Sequence, residues 1–278
     1  MATKKRKSPS TKATPQTKPH EERMTWFEAL QIVKPYVFKI STPTGSGTGF
    51  QITYTSNSKL CGVATAYHVI AQAHKWGYPI EVMHFGSKES LMLKDSERAV
   101  FVHIKEDLAF ILFSAGKLPI KTDAPELIDP KTSLKAGVEV GWCGFPSVAS
   151  NELCFFNGYI SCYLNNIDCY LVDGVAINGV SGGPAFWTPY KTHELKICGV
   201  VSAYIPSTAT GTTLPGLSML TSVETYQKDL EDFKTFVAAS DAAKKEEMEK
   251  RKKGEEIPTP ALSPSPSPSP SPSPGQSE

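Results

Sequence analysis

The chain has 278 residues, of which 40% are apolar, 21% charged and 10% aromatic, with 29 basic side chains against 28 acidic ones. A net charge of +1 excludes a polycation built to coat nucleic acid, and no run approaches the roughly 18 consecutive apolar residues of a membrane span. Met1 to Lys18 is basic and polar with no apolar segment behind it, so no cleavable secretory signal is expected and the reading is cytoplasmic.

Residues 1–23 carry Lys4, Lys5, Arg6, Lys7, Lys12, Lys18 and Arg23 against only Glu21 and Glu22. With almost no large apolar residue the segment cannot bury enough surface to offset its ordering entropy, and it reads as a disordered arm. The run Lys4-Lys5-Arg6-Lys7 fits nuclear import in a eukaryotic host and otherwise a solvated tail.

Residues 24–222 form the folded mass. Short Val/Ile/Phe/Tyr runs alternate with Gly, Pro, Asn and Ser, which predicts strands at Tyr36–Ile40, Gly47–Tyr54, Lys59–Thr65, Ile80–His84, Ala99–Ile104 and Leu108–Phe113. A second set follows at Val138–Cys143, Leu153–Leu164, Cys169–Val175, Ala185–Trp187, Ile197–Tyr204 and Leu217–Thr221. This all-β grammar suits two small barrels or a sandwich and excludes a doubly wound sheet. Over 223–253 the apolar positions Tyr226, Leu230, Phe233 and Val237 fall three and four apart, predicting a helix with one face docked on the body. Residues 254–278 include a strict Ser-Pro alternation from Ser263 to Pro274, a stiff solvated tail open to protein partners.

The six cysteines include no Cys-x-x-Cys pair, and without a secretory signal they read as buried thiols rather than a disulfide framework or zinc site. No metal or other cofactor is expected.

Three windows carry chemistry. In Ile177-Asn178-Gly179-Val180-Ser181-Gly182-Gly183-Pro184 a serine stands in a glycine-rich turn. Its hydroxyl attacks a carbonyl only if a base takes the proton and donors receive the developing charge; the amides of Gly179 and Ser181 can converge as those donors. A candidate base is His68, at the end of the apolar strand Val63-Ala64-Thr65-Ala66. Asp107, at the mouth of the apolar run Leu108-Ala109-Phe110-Ile111-Leu112, is the candidate carboxylate to orient the imidazole, with Glu106 the competing choice facing solvent.

Together, Thr-Ala-Tyr-His-Val around His68, Asp-Leu-Ala-Phe-Ile-Leu from Asp107 and Gly-Val-Ser-Gly-Gly-Pro around Ser181 resemble the trypsin-like (chymotrypsin-fold) serine peptidases. The closest branch is the bacterial high-temperature-requirement type, with further matches at Gly45–Phe50, Gly144-Phe145-Pro146 and Gly199-Val200-Val201-Ser202. The resemblance spans about Pro35 to Glu224. It implies two packed six-stranded antiparallel β-barrels followed by a C-terminal helix, with a His68–Asp107–Ser181 triad in the cleft between the barrels. It further implies protein or peptide substrates, with no specific nucleic acid and no membrane as partner.

Departures from the family also carry expectations. Val180 precedes the nucleophile where digestive relatives have an aspartate that pairs with a new N-terminus, so activation of that type is not expected. Val69 follows His68 where many secreted members have a cysteine, and no peptide-binding domain is seen after the peptidase unit. By the same resemblance, Val175 and Ala176 form the base of the primary pocket and Ser202, Ala203 and Tyr204 its wall, implying small or medium apolar residues before the cut. The alternative is a catalytically silent scaffold using the same cleft. An α/β-hydrolase esterase is excluded, because Gly-x-Ser-x-Gly and the order Ser, acid, His are both missing.

Overall fold

The computed structural model describes residues 23–55, 59–190, 192, 194–206, 213–235 and 242, with side chains for all of these except 203–206 and 213–215. The basic arm up to residue 22, Val237 and the Ser-Pro tail lie outside the described residues. The chain divides into two units, Met1–Asp229 and Leu230–Glu278. Residues 230–235 of the second are helical, and the architecture below is that of the first.

A helix missing from the sequence reading opens the unit. Helix α1 (Trp26–Val33) is started by a capping box in which Thr25 accepts from the Glu28 amide while the Glu28 carboxylate accepts from the Thr25 amide. Just before it, Arg23 is pinned by its guanidinium to Glu139 at 2.7 Å and to Thr188 at 2.8 Å.

Seven strands follow: β1 (Val37–Thr42), β2 (Gly45–Thr55), β3 (Leu60–Ala66), β4 (Ile80–His84), β5 (Ser90–Leu93), β6 (Arg98–His103) and β7 (Leu108–Ser114). They form one antiparallel sheet in the order β5-β4-β1-β2-β3-β7-β6. This half thus has seven strands where the sequence suggests six. The extra one is β5, which pairs with β4 through Ile80↔Leu93 and leaves β5 and β6 as edges among the described residues. Alternate residues of the strands fill the core, among them Cys61 and Val63 of β3, Ile80 and Val82 of β4, and Ala109 and Ile111 of β7. Helix α2 (Tyr67–Trp76) covers this core with Ile70 and Ala73 and stops at Gly77, which adopts the left-handed conformation at φ 63°.

The second half is a closed barrel of β8 (Glu139–Gly144), β9 (Cys154–Leu164), β10 (Cys169–Asp173), β11 (Pro184–Trp187), β12 (Lys196–Pro206) and β13 (Thr213–Ser222), ordered β10-β13-β12-β11-β8-β9. Where β9 pairs with β10 the register shifts between Leu171↔Cys162 and Val172↔Ile160, leaving Ser161 of β9 as the extra, bulged residue. Trp142, Val172, Phe186 and Val200 are fully buried. All six cysteines are unpaired; burial pushes the thiols of Cys61, Cys169 and Cys198 up to about 12, which leaves them protonated and inert.

A third helix begins at residue 224. At its start the wholly buried Tyr226 directs its hydroxyl to the carbonyls of Thr65 and Ala109, each at 2.8 Å. Those two residues face each other across β3 and β7, so the tyrosine ties together the strands that lead to the site.

Candidate active site

The pairing of β3 with β7 ends at Ala66↔Leu108. Residues just past one strand and just before the other are therefore neighbours, although 39 positions separate them in the chain. His68 lies in the first turn of α2 rather than at a strand end, because the helix begins directly where β3 stops. The Tyr67 amide donates to the Asp107 carbonyl at 2.9 Å and the His68 amide to Asp107 Oδ1 at 2.9 Å. Nδ1 of the imidazole lies 2.7 Å from Asp107 Oδ2. A carboxylate can only accept, so Nδ1 carries the hydrogen and Nε2 is the basic nitrogen.

Asp107 has φ 54°, a left-handed conformation that aspartate tolerates better than most residues. Its carboxylate also accepts from the Ser202 hydroxyl at 2.6 Å. Burial pushes the carboxyl pKa up, but the hydrogen bonds from His68 and Ser202 outweigh it and hold the group below its ordinary value. Asp107 is thus a fixed anion behind the imidazole. Ser202, read from the sequence as a pocket residue, turns its hydroxyl to Asp107. Glu106 faces Lys105 at 3.8 Å.

Ser181 arrives from the second barrel. A Cβ at Gly182 would fall 2.0 Å from the Thr48 carbonyl oxygen, 2.2 Å from Thr65 Oγ1 and 2.9 Å from the Ala66 amide. Only glycine, here at φ 84°, lets the residue after the serine press against the strand that delivers His68. On the other side, a Cβ at Gly47 would meet Val69 Cγ2 at 2.6 Å and the Ser181 carbonyl oxygen at 3.0 Å. The serine backbone and the residue next to His68 thus flank one glycine. Ser181 and His68 do not hydrogen-bond to each other among the described residues.

The backbone around the serine has a definite polarity. The Asn178 carbonyl accepts from the Ser147 amide at 2.7 Å and the Ser147 hydroxyl at 3.0 Å. The Gly179 carbonyl accepts from Thr48 Oγ1 at 2.8 Å, Val180 from the Gly183 amide at 2.9 Å, and Ser181 from the Thr48 amide at 2.8 Å. In a planar trans peptide the N–H points opposite to the preceding C=O. The amides of Gly179 and Ser181 are therefore turned away from those internal partners, and neither donates to an acceptor among the described residues. The buried Thr48, which also accepts from the Phe145 amide at 3.0 Å, lies at the centre of this arrangement.

Of the pocket residues, Val175 is half exposed and its carbonyl accepts from Trp142 Nε1 at 3.2 Å. Ala176 is partly buried. The side chains of Ala203 and Tyr204 lie outside the described set. Sequence reasoning missed Thr48 and Ser147, whose roles follow only from which distant carbonyls they reach.

No protein-family model matches the chain, and no curated protein does. Solved structures do. Deg5 superposes with a TM-score of 0.52 at 18% identity, covering 73% of this chain and 90% of that one. The serine endoprotease from Yersinia pestis gives 0.54 at 18% identity over 76% of this chain and 67% of its own. The inactive form of the Rv3671c protease gives 0.50 at 17% identity, over 73% and 91%. At such identities the likeness establishes the fold alone.

Proposed function

We propose that the protein is a serine endopeptidase. Ser181 Oγ attacks the scissile carbonyl while its proton passes to His68 Nε2. Asp107 keeps the imidazole in the required tautomer and stabilises the imidazolium, and the amides of Gly179 and Ser181 receive the charge on the carbonyl oxygen. The tetrahedral adduct collapses as His68 returns the proton to the departing amine, leaving an acyl-enzyme. Water, deprotonated by the same nitrogen, then releases the acid.

The observation that carries this reading is the carboxylate of Asp107, bonded at once to Nδ1 and the amide of His68 and to Ser202. A structural aspartate has no need to commit both oxygens to one imidazole-bearing residue beside a serine loop whose amides face outward. The protease fold of the solved relatives supports the same conclusion. Substrates are peptides or proteins, with small or medium apolar residues before the cut because Val175 and Ala176 bring no charge to the pocket base.

The test is labelling with a fluorophosphonate, coupled to cleavage of a peptide library. Wild-type protein labels; Ser181→Ala does not, and His68→Ala labels at least about 10³-fold more slowly. Labelling that persists in Ser181→Ala means another nucleophile. Folded wild type that neither labels nor cleaves is the silent scaffold, and efficient cutting after Arg or Lys refutes the pocket assignment.

A further inference from the structure

Gly179 sits at φ 94°, and a Cβ there would fall 2.2 Å from the Phe145 carbonyl oxygen. Glycine is required, but glycine also removes the steric barrier that would hold the 178–179 peptide in one orientation. If that peptide turned over, a carbonyl would replace an N–H at the position where the substrate oxygen gathers charge. Some other group has to hold it.

Ser147 is placed to do so. It is the first residue of a short 3-10 turn, Ser147–Ala149, so its amide has no partner within the turn. That amide and the side-chain hydroxyl both donate to the Asn178 carbonyl, at 2.7 and 3.0 Å. Two donors from one residue occupy both acceptor sites of a single carbonyl oxygen. Resting on the peptidase reading above, we propose that Ser147 is a positioning residue for the oxyanion site. By holding the Asn178 carbonyl away from the oxyanion site, it aims the Gly179 N–H at the reacting carbonyl. It touches neither substrate nor the nucleophile.

Ser147 is exposed, so substitution there removes no core packing. Ser147→Ala deletes one of the two bonds, Ser147→Thr keeps both, and Ser147→Pro deletes both and sets its Cδ against the Asn178 carbonyl oxygen, so that this peptide has to move. Proline suits the first position of a turn, and the preceding Pro146 already has the extended ψ of 143° that a following proline demands. Removal of a whole oxyanion donor costs about 10²–10³ in kcat, so loosening one should cost about 10- to 100-fold in Ser147→Pro and about 3- to 10-fold in Ser147→Ala. KM should stay within about twofold, because the interaction strengthens only in the transition state. Ser147→Thr should match wild type.

A crystal structure of Ser147→Pro supplies a readout independent of turnover, and the 178–179 peptide should be reversed or present in both orientations. Active wild type with Ser147→Pro retaining kcat within about twofold overturns the inference. So does a peptide that keeps a single, unaltered orientation in that variant. Should Ser147→Pro fail to fold, Ser147→Ala set against Ser147→Thr decides, and equal kcat in these two overturns the proposal. If wild type proves inert while the peptide turns over in Ser147→Pro, the restraint stands and the peptidase reading falls.

Discussion

Thr48→Val exchanges a hydroxyl for a methyl in nearly the same volume at a fully buried position, and so isolates hydrogen bonding from cavity formation. The hydroxyl accepts from the Phe145 amide at 3.0 Å and donates to the Gly179 carbonyl at 2.8 Å. In the valine variant both groups are stranded where water is excluded. Each orphaned group costs about 1–3 kcal/mol, and the added methyl returns about 0.8 kcal/mol, for a net loss of about 3 kcal/mol. For a folded unit of this size that lowers Tm by about 6–12 °C. Thermal unfolding followed by circular dichroism measures it, with Thr48→Ser as the control: serine keeps the hydroxyl, gives up one methyl, and should cost only about 1 kcal/mol. A Thr48→Val protein as stable as wild type, or more stable than Thr48→Ser, would show that these bonds do not hold the serine loop to the first sheet.

Two further outcomes follow from the same geometry. Tyr226→Phe leaves the carbonyls of Thr65 and Ala109 without their shared donor and should lower stability by about 1–2 kcal/mol, read from the midpoint of urea unfolding; an unchanged midpoint refutes the clamp. Because the folded-state pKa of Asp107 lies below its unfolded value, its contribution is complete above the unfolded pKa and is lost as pH falls through the folded one. The stability gap between wild type and Asp107→Asn, measured by urea unfolding from pH 5 downward, should therefore narrow below about pH 4, and a gap that widens there contradicts the assignment.

Local signals explain most of what was readable. The strand character of β9 is visible in Phe155, Phe156, Tyr159, Ile160 and Tyr163, whereas its alternation is not, since Gly158 is buried and Tyr159 exposed. Helix α1 was legible in principle, since Thr25 and Glu28 form a capping box before an apolar run, but the element is only eight residues long. Strand β5 carries no comparable mark. Its four residues become a strand by pairing with β4, a tertiary event. The start of α2 was blurred because β3 runs into it without a loop, so no turn residue separates Ala66 from Tyr67.

From the amino-acid order alone come the β-rich class and the three chemical windows, because each depends on residue types within a few positions of one another. Which way the backbone points at those windows was decided by the folded chain. The Asn178 carbonyl is held by a residue 31 positions away, the Gly179 carbonyl by one 131 away, and Asp107 by a serine 95 away. A peptide group can turn over at little cost beside glycine, so its direction is set by whichever donors the fold brings within 3 Å, and no local pattern encodes those.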